Sequence, residues 1–340
     1  MSYYDLLPGT YFDPTYAAVI KSLLIGDNVL LVSPYGFGGK TFFNFFLSRQ
    51  KTIDRTIISW SNNLPVKTLL KQVKENHRRG TKQIVIMRQV EKIDDLPVLL
   101  EKLNDIRQPN PQNTSYLIIT DHRGLTDIDQ YLAGFNTFFS SRYLLGAFDF
   151  EKTTENIRAN CLFFGWPYLP QNDKKVFQLS GGIPRLIKHI YKEINESQLT
   201  FEDPSAFLFD QSISFQLQYL ADLIMKIDPN YLIKFGILDA KKKIKSELLA
   251  MFFSDLQVKI AKQNFAELTR AEAQLFSLFF SNPDEIISID RVADFLSISD
   301  DDFSLWAVYK LIARLKEKIK SKYDLVNLKG RGYKLGFESR

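Results

Sequence analysis

The sequence predicts a multidomain α/β chain: a five-stranded parallel sheet with helices, a helical middle, and a small tail of three helices and a hairpin. Three observations carry this. The 340 residues exceed what one ordinary hydrophobic core holds, so two or three domains are expected. Through the first half, short apolar runs alternate with helix-length segments. In the last part, a helix-start signature, two further helical patterns and a glycine-punctuated hairpin follow one another within residues 267–337.

The predicted strands are Val29–Val32, Thr56–Ser59, Ile84–Met87, Leu117–Thr120 and Tyr143–Leu145. Runs this short, separated by helix-length segments, indicate buried parallel strands joined by crossovers. The stretch SPYGFGGKTFF follows the first run directly, and the apolar pattern Phe42, Phe43, Phe46, Leu47 continues it as a helix. Strand, glycine loop and helix in that order are the context a phosphate-binding loop requires. Gly36, Gly38 and Gly39 let successive N–H groups curl inward as an anion nest, and the helix starting near Lys40 adds its positive end. Lys40 supplies a point charge for the β- and γ-phosphates, and the Thr41 hydroxyl is placed to ligate Mg²⁺. Pro34 stands where G-x-x-x-x-G-K-[ST] has its first glycine; that position mainly shapes the turn. A glycine-rich turn without ligand is the competing reading.

Composition limits the alternatives. Apolar residues make up 45% and charged residues 24%, as in ordinary soluble domains. The 28 Phe fit well-filled cores or coding bias rather than a site. Met1-Ser2-Tyr3-Tyr4-Asp5 lacks a basic region followed by an apolar one, so a secretory leader is not expected, and no apolar run approaches a membrane span. Cys161 is the only cysteine, which excludes an internal disulfide or thiolate zinc site and suits a cytoplasmic location. His77, His122 and His189 show no metal-ligand spacing and read as surface or capping residues. No hydrolytic triad and no solenoid repeat stands out.

With these residues in view, the first part resembles the AAA+/STAND branch of P-loop ATPases. DNVLLVSPYGFGGKT looks like their first strand and Walker A loop, KQIVIMRQVEKID like the Walker B strand, and SYLIITDHRG like the sensor-1 strand. LSGGIPRLIKHIYKEI is similar to the Gly-x-Pro/sensor-2 helix, with Gly182, Pro184 and Arg185 in matching places. The resemblance covers roughly residues 10 to 195 and implies a five-stranded parallel P-loop NTPase sheet over 1–150 with a helical lid over 151–195. It implies ATP or ADP as ligand, with Mg²⁺ held through Thr41. The nucleotide-contacting set would be Pro34, Tyr35, Gly36, Phe37, Gly38, Gly39, Lys40, Thr41, Phe42, Arg88, Asp121, Pro184 and Arg185.

One departure decides what chemistry is left. A Walker B strand ends in Asp-Glu, the Asp serving the metal shell and the Glu polarising water; here Arg88-Gln89 follow Met87. A cation and a neutral amide replace both carboxylates, which removes metal support and water activation. Arg88 is positioned to neutralise phosphate directly. Glu91, Asp94 and Asp121 are the candidate substitutes, although no spacing places them there. Arg142, just before the fifth predicted strand, lies where relatives carry a trans-acting arginine.

Charge is unevenly spread. Glu267–Asp302 holds nine acids and two bases, whereas Phe303–Arg340 holds ten bases and three acids. Such a swing suggests a face for a polyanion, the bland reading being a solvated helix. Thr269 with Glu272 three residues on has capping-box spacing, Asn282-Pro283 stops that helix, Ile286-Ile287 reads as a short strand, and a second helix begins near Ser288. Asp300-Asp301-Asp302-Phe303-Ser304 supplies acids at a helix start. Leu305, Val308, Ile312, Leu315 and Ile319 form one buried stripe. YDLVNLKGRGYKL reads as a hairpin turning at Gly330 and Gly332 around exposed Arg331. Three helices followed by a hairpin make a winged helix-turn-helix over 267–340.

LTRAEAQLF, SIDRVADFL, WAVYKLIARLKEKI and LKGRGYKL resemble the DNA-binding domain of OmpR/PhoB-type response regulators. The resemblance implies that Tyr309, Lys310, Ala313, Arg314, Lys316 and Lys320 face double-stranded DNA, with Arg331 on the wing. Glu317 interrupts the more basic family pattern, implying fewer phosphate contacts. A winged helix that binds protein is the alternative.

Residues 196–266 read as a linker (FEDPSAFLF), a helix (YLADLIMKI), and a helix, short ribbon around Ala240–Lys243 and further helix, similar to the small module that follows STAND ATPase domains. Lys241 to Lys245 reads as a solvated hairpin or a second nucleic-acid contact. The whole suggests a nucleotide-binding, hydrolysis-poor, DNA-binding regulator without a membrane partner, able to self-associate or bind a partner protein. Its rivals are an active DNA-dependent ATPase of initiator or loader type and a non-enzymatic scaffold.

Overall fold

The computed structural model describes residues 3–60, 65–90, 93, 95–132, 134–197, 199–280, 282, 285–296 and 305–337. Glu91, Asp94, Pro283 and the acidic run Asp300–Ser304 lie outside them. By its internal contacts the chain separates into two units, Met1–Leu249 and Ala250–Arg340. The division falls within the helix Glu247–Asn264.

The first unit is built on five strands: β1 Val29–Val32, β2 Thr56–Trp60, β3 Gln83–Arg88, β4 Thr114–Thr120 and β5 Ser141–Leu144. They hydrogen-bond in the order β2-β3-β4-β1-β5, every pair parallel. All four residues of β1 and all seven of β4 are buried, as is β3 up to Met87. Central strands covered on both faces are apolar for most of their length, which is why they read as continuous runs, although Gln83, Thr114, Ser115 and Thr120 are buried polar residues towards their ends. The edge strands β2 and β5 are partly exposed.

Several strand limits move relative to the sequence reading: β2 ends at Trp60, β3 starts at Gln83, β4 starts at Thr114 and β5 ends at Leu144, and two further shifts take in arginines. β3 runs one residue past Met87, so Arg88 is part of the strand and stands in register with Ile119. β5 starts at Ser141, placing Arg142 inside it, paired with Leu30, rather than ahead of it. In both cases the ladder to a neighbouring strand continues through a polar residue that periodicity alone treats as a boundary.

After β1 the chain turns into the helix Gly39–Ser48. Phe42, Phe45 and Phe46 on it are fully buried, and Phe12 packs edge-on against Phe42 and Phe45 with ring centroids 5.1 Å away in each case. Each such ring contributes about 2 kcal/mol of burial, so this helix is anchored by its aromatic face while Lys40 in its first turn stays exposed. Helices Phe150–Phe164, Asp173–Ser180 and Pro184–Glu196 follow β5, and Gln211–Lys226 comes after them. The stretch read as a linker is instead a 3-10 turn, Pro204–Phe209, pinned by fully buried Phe207. The ribbon around Ala240–Lys243 is present as the bridge between Leu238 and Ile244.

In the second unit, helices Arg270–Phe280, Ile289–Phe295 and Leu305–Ile319 precede a two-stranded antiparallel sheet, β6 Tyr323–Leu328 and β7 Gly332–Phe337. The capping box forms: Thr269 N–H donates to Glu272 Oε2 at 2.8 Å, and Glu272 N–H donates to Thr269 Oγ1 at 3.3 Å. Burial pushes the Glu272 carboxyl up, but Lys318 at 2.6 Å and the Thr269 N–H outweigh it and hold it below the usual carboxylate range. Ser288 caps the second helix, and Ile287 makes a bridge to Tyr333 rather than a strand of its own. Gly330 and Gly332 take positive φ at the hairpin turn.

The third helix corrects one stripe position. Val308, Ile312, Leu315 and Ile319 are buried, but Leu305 is 51% exposed and Leu311 is buried in addition. Leu305 is the first residue of the helix, whereas Leu311 lies beside Ile312 on a face wider than a single three-four stripe. No helix among the described residues is long and apolar enough to cross a membrane.

Candidate nucleotide site

In a parallel sheet the loops at the carboxyl ends of the strands share one edge. Here the loop after β1, the end of β3 and the end of β4 line one cavity of about 960 Å³ in the first unit. The loop contributes Pro34, Tyr35, Gly36, Gly38, Gly39, Lys40 and Thr41; β3 contributes Arg88 and Gln89; β4 contributes Thr120 and Asp121. Pro184 and Arg185 open the helix on the other side. Eleven of the thirteen residues expected to contact nucleotide therefore line one space. The other two, Phe37 and Phe42, do not: both side chains are fully buried in the core beneath the loop.

The loop holds its shape through its own backbone and three outside groups. Gly36 and Gly38 have φ of 91° and 95°. Gln216 Nε2 donates to Tyr35 O at 2.9 Å, Tyr219 Oη accepts from Tyr35 N–H at 3.2 Å, and Arg185 N–H donates to Gly36 O at 3.1 Å. A Cβ on Gly36 would stand 2.5 Å from Gln216 Oε1, so the clamp closes only on glycine. Pro34 is compatible with this arrangement, since Phe37 N–H donates to its carbonyl at 3.1 Å and its own missing N–H is not called on.

Among the charged side chains of the lining, the cations Lys40, Arg88, Arg185 and Lys188 prevail. Arg185 stacks its guanidinium over Tyr35, 4.8 Å from the ring centroid, and Arg88 lies 5.3 Å from that of Phe43. The Nε atoms of both arginines are buried without a hydrogen-bond partner among the described residues. Buried donors are nearly always satisfied, and an unmet one costs about 1–3 kcal/mol. Both Nε atoms are closed off from the cavity, so what the two arginines bring to its lining is charge. Burial, then Arg185, Lys192 and Lys40, pushes the Lys188 ammonium down.

Asp121 is the only acid lining the cavity among the described residues, and Arg123 holds it. Arg123 Nε lies 3.1 Å from both carboxylate oxygens, its terminal nitrogen 2.9 Å from one, and its N–H 3.0 Å from the other. Gln89, where a catalytic carboxylate would stand, has φ of 59°, a left-handed backbone unusual for a side chain other than glycine and typical of functional sites.

The far wall is made of residues the sequence reading did not assign: Tyr3, Tyr11, Asn156, Asn160, Lys188 and His189. Asn156 Nδ2 donates to the hydroxyls of Tyr11 and Tyr3, the latter at 3.4 Å. Burial pushes the Tyr3 hydroxyl up to about 12, so it stays protonated. A signal existed for part of this wall: Lys188 and His189 lie three and four residues after Arg185, hence on the same helix face. Nothing in the sequence connects residues 3–11 with 156–160.

His189 is thus a cavity residue, not a surface one. Burial, then Arg185 and Lys188, pushes its imidazole down to about 4, against the opposing charge of Asp210. An unfolded histidine titrates near 6.5, so the unfolded chain takes up the proton first. Stability of the first unit is therefore full above that value and is lost as pH falls from about 6.5 towards about 4. A melting-temperature series across that window should show the decline, and His189→Gln should make it shallower, the remainder coming from His77 and His122, which burial also pushes down.

In the second unit, the residues expected at DNA are exposed: Tyr309, Lys310, Ala313, Arg314 and Lys316 on the third helix, Lys320 just after it, and Arg331 at the hairpin turn. Several are engaged internally. Lys316 Nζ donates to Leu325 O at 2.9 Å and lies 3.1 Å from Asp324; Lys320 pairs with Glu317 at 2.7 Å; Arg314 lies 3.7 Å from Glu272. Lys310 covers the Trp306 ring at 4.6 Å. Lys316 so fastens the helix to the hairpin rather than standing free for a phosphate.

The parallel sheet, the glycine loop and the helix it opens fit an α/β P-loop NTPase fold. No protein-family model and no curated protein matches the chain. Solved structures similar to it include a single-residue variant of Thermotoga maritima RuvB, 12% identical at a TM-score of 0.42 over 99% of this chain and 97% of that one. The Thermotoga maritima RuvB Holliday junction branch migration motor is 12% identical at 0.40 over 98% and 93%. The Walker-type ATPase paby2304 of Pyrococcus abyssi is 13% identical at 0.45 over 99% and 97%.

Proposed function

We propose that the first unit binds a nucleoside di- or triphosphate, ATP or ADP, and turns it over poorly, and that the second unit binds double-stranded DNA, the two together acting as a nucleotide-responsive DNA-binding regulator. The observation that carries the nucleotide reading is the cavity that joins the Gly36–Thr41 loop to the cationic side chains of Lys40, Arg88, Arg185 and Lys188. Loop N–H groups and Lys40 take the terminal phosphates, Arg185 and Arg88 complete them, and the Tyr3–Asn156 wall is left for the nucleoside. Poor turnover follows from Arg88 and Gln89: neither accepts a proton from water, and Asp121 is occupied by Arg123.

The test is binding of labelled ATP and ADP by the purified protein, with phosphate release followed in the same samples. Binding with release at the buffer rate is expected. Clear turnover would favour the DNA-dependent ATPase reading, and no binding would end the nucleotide reading.

The DNA reading is supported by the winged-helix order of three helices and a hairpin, and by exposed Lys310 and Arg331. Cations on such elements contact phosphates and position the helix in the major groove. The double variant Lys310→Ala, Arg331→Ala should weaken duplex binding and reduce its salt dependence. No duplex binding by the wild type at low salt would leave the tail as a protein-interaction module.

A further inference from the structure

A P-loop fold implies Mg²⁺ on the bound nucleotide, so the donors have to be tested for it. Mg²⁺ demands hard oxygen ligands in near-octahedral order and usually takes one or two carboxylates from the protein. The Thr41 hydroxyl is the one suitable oxygen on the loop. The strand that should add a carboxylate ends in Arg88, the Asp121 carboxylate is spanned by Arg123, and no group of three His, Cys, Asp or Glu among the described residues is arranged to hold a metal. The residues present do not fit the ion.

They fit its absence. Lys40, Arg88, Arg185 and Lys188 already gather positive charge in the cavity, and a divalent cation would add to that repulsion. A metal-free polyphosphate carries more negative charge than its magnesium complex and has its oxygens open to hydrogen-bond donors. Arg88 and Arg185 both line the same space, and a planar guanidinium suits phosphate oxygens in paired contacts.

We propose that this cavity takes its nucleoside polyphosphate free of divalent cation, with the Arg88 guanidinium neutralising the phosphates where a bound metal would otherwise do so. The inference rests on the nucleotide reading above and adds the ionic form of the ligand. It also accounts for Arg88 and Gln89 together: a site that excludes the metal needs neither carboxylate.

The experiment is calorimetric titration of ATP into the wild-type protein, once with EDTA and once with excess Mg²⁺ at matched ionic strength, repeated with Arg88→Ala and Arg88→Asp. The wild type should bind at least about tenfold more tightly in EDTA, the loss of one charged contact being worth that much. Arg88→Ala should weaken binding in EDTA about tenfold, and Arg88→Asp should reverse the preference so that binding requires Mg²⁺. Tighter wild-type binding with Mg²⁺ would overturn the inference and leave the nucleotide reading standing; so would an unchanged preference in a folded Arg88→Asp protein. Absence of binding in both buffers would overturn both. The wild-type comparison needs no variant, so a misfolded variant does not remove the test.

Discussion

Lys40→Ala is expected to weaken ATP binding about 100-fold while leaving the melting temperature of the apo protein almost unchanged. The Lys40 side chain is exposed in the cavity and opens the helix Gly39–Ser48, whose anchoring lies in the buried aromatic face of Phe42, Phe45 and Phe46. Alanine is a better helix former than lysine by a small margin, so the fold does not suffer. The ligand does, because a charge-assisted hydrogen bond to phosphate is worth about 1.5–3 kcal/mol, and the upper end applies in a partly enclosed cavity. The neighbouring cations sharpen the contrast: removing Lys40 relieves its repulsion on Lys188, which favours the apo form slightly. Equilibrium binding alongside thermal unfolding of both proteins checks the pair of expectations. Unchanged affinity in a protein of unchanged stability would mean that the loop does not hold phosphate.

The second large effect is structural. Gly182 has φ of 78°, and a Cβ there would lie 2.0 Å from Phe148 O and 3.0 Å from Phe148 C. Those are backbone atoms on the segment leaving β5, tied to the glycine by the Phe148 N–H, which donates to Gly182 O at 2.7 Å. Neither side can retreat without breaking that bond. Left-handed strain of about 1–3 kcal/mol, together with a forced backbone shift of similar size, puts Gly182→Ala at about 4 kcal/mol of destabilisation. For a unit of this size the melting temperature should fall on the order of 10 °C. Gly182 also precedes the helix Pro184–Glu196, which presents Arg185, Lys188 and His189 to the cavity. Nucleotide affinity should therefore fall with stability. A Gly182→Ala protein melting like the wild type would show that the segment after β5 yields more readily than its hydrogen bond implies.

The nature of the site residues explains how far each was readable. Lys40, Thr41 and the three glycines of the loop are neighbours in the chain, and their meaning comes from local geometry: a tight turn, an N-terminal helix end and a charge. The absence of carboxylates at Arg88-Gln89 was equally legible, since one strand end defines both places. The β-strands were visible because a strand buried on both faces is apolar for most of its length. Their ends were less so: Arg88 and Arg142 belong to strands because neighbouring ladders extend that far, which no local preference records.

On the tail, capping and periodicity located the helices, because Thr269, Glu272 and Ser288 act within one turn of their own helices. What became of its cations was not readable. Lys318 closes on Glu272 at 2.6 Å and Lys316 reaches Leu325 O at 2.9 Å, contacts between residues brought together only by packing.

The sequence by itself determined that this chain holds a parallel α/β unit with a phosphate loop lacking its metal-side acids, followed by a helical tail ending in a hairpin. Only the tertiary structure decided that Tyr3, Tyr11, Asn156 and His189 wall the same cavity, that Gln216 and Tyr219 brace the loop, and that the Nε atoms of Arg88 and Arg185 stay unmet. The reason is physical. Turns, caps and strand burial are settled within a few residues, whereas a cavity is a meeting of surfaces far apart in sequence, and its unmet donors are known only once every nearby acceptor has been placed.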